Sequence, residues 1–131
     1  MLTPHDGEFA RLAPGALAGG DRVEAARAFA RDHGCVLVLK GHRTVTASPY
    51  GNVLVNTSGC SALAKGGSGD VLTGVIASLL AQGAGAVPGA ALGVWLHGRA
   101  GELAAETLTE YGASPEDVVR CLPGAIREIL E

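Results

Sequence analysis

Three features of the sequence predict an α/β fold: a capped amphipathic helix, a buried strand directly after it, and a glycine-rich loop that feeds a further helix. The first helix opens at Asp21, with Glu24 three residues on in capping-box spacing. Val23, Ala26, Phe29 and Ala30 then share one face, and Gly34 is the stop. Residues 35–39, Cys-Val-Leu-Val-Leu, form a continuous apolar run of strand length, the pattern of a strand covered on both faces of a mostly parallel sheet. Residues 44–47 and 53–56 alternate or are β-branched. The turn formers Ser48, Pro49, Tyr50, Gly51 and Asn52 between them predict an antiparallel β-hairpin. Past the loop, Leu72, Val75, Ile76, Leu79 and Leu80 recur at helical spacing, starting next to Asp70. A helix is expected from Pro88 through Trp95 toward Thr107, with Trp95 in the core. Another is expected from Ser114, where a capping serine, the first-turn Pro115 and the acids Glu116 and Asp117 sit together. Pro123-Gly124 is expected to break or kink this last helix.

The 131 residues suffice for one domain with a core that needs neither disulfides nor metal. Apolar residues make up 47% of the chain and aromatics only 4%, so the interior has to be built from Ala, Val, Leu and Gly, with backbones packed closely. A net charge of −3 with no basic run lacks the electrostatic footprint of nucleic-acid or anionic-membrane binding, and directs attention to small ligands. Cys35, Cys60 and Cys121 are odd in number and show no metal spacing, which suits reduced thiols in a cytoplasmic protein. Residues 71–96 carry no charge, but Gln82-Gly83-Ala84-Gly85 and Pro88-Gly89 cut the stretch into two pieces of ordinary helix length, so no membrane span is expected. No secretory signal is visible at residue 1.

Ser58-Gly59 and Gly66-Gly67-Ser68-Gly69 bracket a loop with little side-chain bulk, so consecutive amides can converge on a bound group. Because the loop ends at a helix start, free N–H groups and the positive end of the helix dipole aim at one place, a seat for a phosphate or a transferring phosphoryl group. Asp70 stands at that seat. Beside a bound phosphate a carboxylate is electrostatically awkward unless it works, and taking the proton of an attacking hydroxyl is the task that fits. The alternative is a first-turn acid that only stabilises its helix, worth about 0.3–1 kcal/mol. A P-loop is excluded, since Ala64 stands where its second glycine is required and Gly66 where the metal-binding hydroxyl should be.

Three motifs occur in order: residues 2–11, Leu-Thr-Pro-His-Asp-Gly-Glu-Phe-Ala-Arg; residues 40–44, Lys-Gly-His-Arg-Thr; and Asn56-Thr57-Ser58-Gly59 leading into residues 66–74, Gly-Gly-Ser-Gly-Asp-Val-Leu-Thr-Gly. Together they resemble the ADP- or ATP-dependent NAD(P)H-hydrate dehydratase family of the ribokinase-like superfamily. The resemblance implies the C-terminal half of a three-layer α/β/α domain with a mostly parallel sheet and a β-hairpin, residues 1–131 being a partial domain whose N-terminal half is absent. It implies repair of hydrated NADH or NADPH: a nucleotide phosphorylates the hydrate's hydroxyl, and loss of phosphate regenerates the coenzyme. The alternatives are a ribokinase-like kinase of a vitamin precursor or sugar alcohol, and an inert nucleotide-binding fragment.

By that resemblance Asp70 is the base, and it also touches substrate. The amides of residues 67–69 form the anion hole. Lys40, Gly41, His42, Arg43 and Thr44 contact the donor nucleotide, as do Cys60, Ser61, Ala62, Leu63, Ala64, Lys65, Gly66, Gly67, Ser68 and Gly69. His5, Asp6, Gly7, Glu8, Phe9, Ala10 and Arg11 line the hydrate pocket. The His5-x-x-Glu8 spacing resembles an Asn-x-x-Glu element whose glutamate organises Mg2+ through water, so Mg2+ accompanies ADP or ATP with no direct protein ligand implied. Asp6 replaces the usual proline, Cys60 an asparagine and Leu63 a methionine. The added charge of Asp6 weakens phosphate binding unless Arg11 or Mg2+ offsets it. His33 and His97 are expected to be structural or surface residues. A lone copy would expose sheet edge and apolar helix faces, so a homo-oligomer, or a partner chain supplying the other half, is expected.

Overall fold

A computed structural model describes residues 1–131. The elements are α1 (Asp6–Leu12), α2 (Arg22–Asp32), β1 (Leu37–Leu39), β2 (Val45–Ala47), β3 (Val53–Val55), a 3₁₀ turn (Ser61–Leu63), α3 (Ser68–Ala81), α4 (Ala86–Gly112) and α5 (Pro115–Leu130). The chain divides into one unit of Met1–Thr57 with Gly85–Ala91, and a second of Ser58–Ala84 with Leu92–Glu131.

In the first unit, Asp21 caps α2 by accepting from the Glu24 amide at 2.9 Å, as expected. The Glu24 carboxylate does not complete a capping box; it accepts from Arg27 instead. Ala26, Phe29 and Ala30 are buried and Val23 packs beside them. At the helix end His33 stacks on Phe29, with ring centroids 4.0 Å apart, and its Nδ1 lies 3.0 Å from the Phe29 carbonyl, which makes it structural. β1 is buried throughout, and the hairpin forms with Val45 opposite Val55 and Ala47 opposite Val53. Within this sheet, ordered β1-β2-β3, both ladders are antiparallel, so the expected mostly parallel sheet is not what the chain's own strands make. The reason is connectivity: β1, β2 and β3 are joined by short turns, which can only reverse direction. Parallel pairing is confined to the other edge of β1, where Leu2 bridges Leu37 and His5 bridges Lys40.

α1 is a helix the residue pattern did not announce. His5 is its N-cap: the ring Nδ1 accepts from the Glu8 amide at 3.1 Å, and Glu8 Oε2 accepts from the His5 amide at 2.7 Å, a reciprocal capping box. Its Phe9 is fully buried and meets Phe29 edge to face at 5.3 Å.

The second unit has an alanine-rich interior, Ala62, Leu96, Ala100, Ala104, Ala113, Val118 and Ala125, with half-buried Trp95 packed against it. α3 and α4 appear where expected, separated by residues 82–85. α4 departs from helical geometry at Thr109 (φ 65°), just past the expected end near Thr107. Ser114 and Asp117 cap α5 reciprocally, with Pro115 in the first turn. The expected break at Pro123-Gly124 does not occur, and α5 runs on to Leu130. Pro123 deprives only the Val119 carbonyl of a donor, and Val119 is exposed, where water can replace the lost bond; buried Val118 and Ala125 hold the helix down on either side. No helix is long and apolar enough to cross a membrane. All three cysteines are free.

Candidate functional site

The glycine loop enters α3 through Gly67, whose φ of 92° lies in the left-handed region that only glycine adopts without strain. Ser68, Gly69 and Asp70 are the first three residues of the helix. The Ser68 amide donates to the Lys65 carbonyl at 3.2 Å, and the Asp70 and Val71 amides to the Gly67 carbonyl at 3.1 Å. Of the three amides expected to form an anion hole, Ser68 is therefore engaged inside the turn, while Gly67 and Gly69 donate to no protein acceptor. Both sit at the positive end of a 14-residue helix. The Asp70 side chain is exposed and makes no hydrogen bond or ion pair with protein, so it is free to take a proton from a bound molecule.

The polypeptide leading into the loop is tied down. Ser58 Oγ donates to the Trp95 carbonyl at 2.9 Å, and the Gly59 amide to Glu102 Oε1 at 2.6 Å. Ser61 Oγ donates to the Glu110 carboxylate, Ala62 is core, and Leu63 packs against it. Lys65 extends its ammonium to the carbonyls of Glu110 (3.1 Å), Tyr111 (2.8 Å) and Ala113. This cation closes the end of α4, where its ammonium is engaged by backbone carbonyls, and of the three residues Ala62 is buried while Leu63 and Lys65 are half-buried.

In the first unit the structure brings Glu8, expected in the hydrate pocket, to Lys40, expected at the nucleotide, with Nζ 3.7 Å from Oε2. The hydrogen bond from the His5 amide, and then the charge of Lys40, hold the Glu8 carboxyl below the usual carboxylate range. Phe9, expected to line the pocket, is buried in the core and unavailable to a ligand. Asp6 is indeed offset by an arginine, but it is Arg22 and not Arg11. The Arg22 guanidinium donates to Asp6 Oδ1 at 2.9 and 3.1 Å and to the Lys40 carbonyl at 3.0 Å. In the sequence the one signal for Arg22 is that a cation in the first turn of α2 opposes the helix dipole and so points to a tertiary partner. His42 and Arg43 are exposed, with Arg43 at φ 56°.

No group of three His, Cys, Asp or Glu side chains is arranged to ligate a metal. A Mg2+ carried by nucleotide phosphates keeps most of its water and needs few protein ligands. The ionised Glu8 carboxylate fits an outer contact of that kind.

His97, expected to be structural or at the surface, is structural. It is buried on α4, with Nε2 3.2 Å from Ser68 Oγ. Burial pushes its pKa from 6.5 down to about 4, against a smaller opposing effect of Ser68. The unfolded chain therefore binds the extra proton between these values, and stability falls as pH drops from about 6.5 towards 4, by up to about 1.4 kcal/mol per pH unit. Urea unfolding at pH 7 and pH 5 is expected to show a larger loss for the parent than for His97→Gln; equal losses would contradict a buried neutral imidazole.

Fold and loop together define an α/β protein with a glycine loop at a helix N-terminus. The NAD(P)H-hydrate dehydratase family model matches residues 1–123, and the chain belongs to that family. It is 45% identical to a bifunctional NAD(P)H-hydrate repair enzyme of Moorella thermoacetica, over 100% of this chain and 25% of the relative. It is 47% identical to an ADP-dependent (S)-NAD(P)H-hydrate dehydratase of Neisseria meningitidis, over 82% of this chain and 37% of the relative. Among solved structures, the ADP/ATP-dependent NAD(P)H-hydrate dehydratase of Bacillus subtilis, co-crystallized with ATP/Mg2+ and soaked with CoA, superposes with a TM-score of 0.90 at 35% identity. That match covers 97% of this chain and 48% of the other. A ribokinase-like protein of Enterococcus faecalis gives a TM-score of 0.84 at 31% identity, over 97% of this chain and 44% of the other. The chain thus spans from a quarter to about half the length of these relatives.

Proposed function

We propose that this chain supplies the phosphoryl-transfer portion of an NAD(P)H-hydrate dehydratase that uses ADP or ATP with Mg2+ to restore hydrated NADH or NADPH. The observation that carries the reading is the free Asp70 carboxylate beside the two unengaged glycine amides at the start of α3. The Gly67 and Gly69 amides receive the negative charge of the phosphoryl group, and Asp70 accepts the proton of the attacking hydroxyl. Phosphate then leaves with the electrons of the ring C–O bond, a proton is lost from the neighbouring ring carbon to water, and the ring double bond re-forms. Lys40, His42, Arg43 and Thr44 serve the nucleotide, and His5, Asp6 and Glu8 the hydrate. Bound Mg2+ neutralises phosphate charge. The likeness to relatives whose names carry this activity supports the substrate class. Because those relatives are longer, the pocket is completed by a second copy of this chain or by a partner chain supplying the other half, and the setting is cytoplasmic.

Incubation with hydrated NADH, Mg2+ and ADP or ATP is expected to restore absorbance at the reduced-nicotinamide band. A stable phosphorylated alcohol in its place would indicate a small-molecule kinase, and nucleotide binding without product an inert fragment.

A further inference from the structure

In the stretch Gly66-Gly67-Ser68-Gly69, only one residue has a side chain with which to grip the rest of the protein. That residue, Ser68, is 5% exposed and points inward to His97, itself 7% exposed, with Oγ and Nε2 3.2 Å apart. Glycines impose no direction on their own amides, so among these four residues Ser68 supplies the one side-chain anchor, in addition to the backbone bonds of the turn and the Lys65 ammonium that precedes it.

The imidazole suits the task. Held neutral by burial, it keeps one ring nitrogen as donor and the other as acceptor at physiological pH, and a serine hydroxyl can answer either. The fold as such has little need of the pair. Two buried polar partners replaced together by apolar groups of similar shape are close to neutral in stability, whereas a hydrogen bond supplies a direction that apolar packing does not.

We propose that His97 is a positioning residue for the glycine loop: through Ser68 it fixes the start of α3 so that the Gly67 and Gly69 amides face a bound phosphoryl group. The proposal rests on reading the loop as a phosphate seat.

The test uses His97→Leu, His97→Gln, Ser68→Ala and the His97→Leu/Ser68→Ala double variant. Two readouts are taken. The first is hydrogen exchange at the Ser68, Asp70 and Val71 amides, whose bonds to Lys65 and Gly67 report the turn. The second is affinity for Mg-ATP. His97→Leu is expected to speed exchange at these amides about tenfold while α5 stays protected, and to weaken Mg-ATP about tenfold, corresponding to one hydrogen bond. His97→Gln, which keeps a donor and an acceptor, should recover most of both. Ser68→Ala should match His97→Leu, and the double variant should be no worse than either single one, since the residues act as one unit. Additive effects, exchange raised equally in α5, or loop exchange within about twofold of the parent overturns the positioning role. A parent chain that binds no Mg-ATP overturns the phosphate-seat reading, and with it the purpose assigned to His97, whatever the exchange rates show.

Discussion

Asp70→Asn is expected to lower turnover of hydrated NADH by about a thousandfold while leaving Mg-ATP affinity unchanged or somewhat tighter, because general-base removal typically costs 10²–10⁴ in rate. Asparagine has the same shape and can still sit in the first turn of α3, so the loop geometry survives; what disappears is a carboxylate able to take a proton. The competing reading, an acid that only complements the helix dipole, predicts a different pattern, a stability loss of about 0.3–1 kcal/mol and turnover within about tenfold of the parent. The two separate cleanly because Asp70 has no protein partner whose loss could confuse the result. Binding energy and chemistry also separate in the kinetics. A missing base lowers kcat and leaves KM flat, and removing a negative charge beside phosphate does not raise KM. A rise in KM with kcat unchanged would assign Asp70 to binding and not to proton transfer.

The parts of this molecule legible in the sequence are those whose cause is local. Asp21 before an apolar stripe, an uninterrupted strand at residues 35–39, turn formers between β-branched runs, and Ser114-Pro115 each carry their reason within a few residues, and α2, β1, the hairpin and α5 all form there. α1 was missed because its N-cap is His5, outside the Ser/Thr/Asp/Asn set that marks helix starts. The His5-x-x-Glu8 spacing, which resembles a ligand element, is locally also a capping box. What stayed hidden depends on residues far apart in the chain. His97 and Ser68 are 29 positions apart and Arg22 and Asp6 are 16 apart, and no periodicity pairs them. Pro123 erred in the opposite direction. Its local tendency to break a helix is real, but tertiary packing of the neighbouring turns outweighs it where the orphaned carbonyl belongs to an exposed residue.

Gly98→Ala is expected to destabilise the protein by about 2–3 kcal/mol, although alanine is the better helix former by about 1 kcal/mol. Gly98 lies inside α4 where the helix meets the polypeptide entering the glycine loop. A Cβ built there would stand 2.8 and 2.9 Å from the Ser58 carbonyl carbon and oxygen, and closer still to its hydroxyl. A side chain could rotate aside, but the Ser58 backbone cannot. Relief requires moving residues 58–59 outward, which strains the Ser58 bond to the Trp95 carbonyl and the Gly59 bond to Glu102, each worth about 1 kcal/mol. The overpacking and the weakened bonds exceed the propensity gain, and the midpoint of thermal unfolding should fall by about 10 °C for a domain of this size. Gly74→Ala is the matched control. Gly74 lies inside α3 with nothing within 4 Å of its added Cβ, so the same substitution there should stabilise by about 0.5–1 kcal/mol. If both variants gained stability equally, the close approach of α4 to Ser58 would be refuted, and with it the physical reason for an interior built from glycine and alanine.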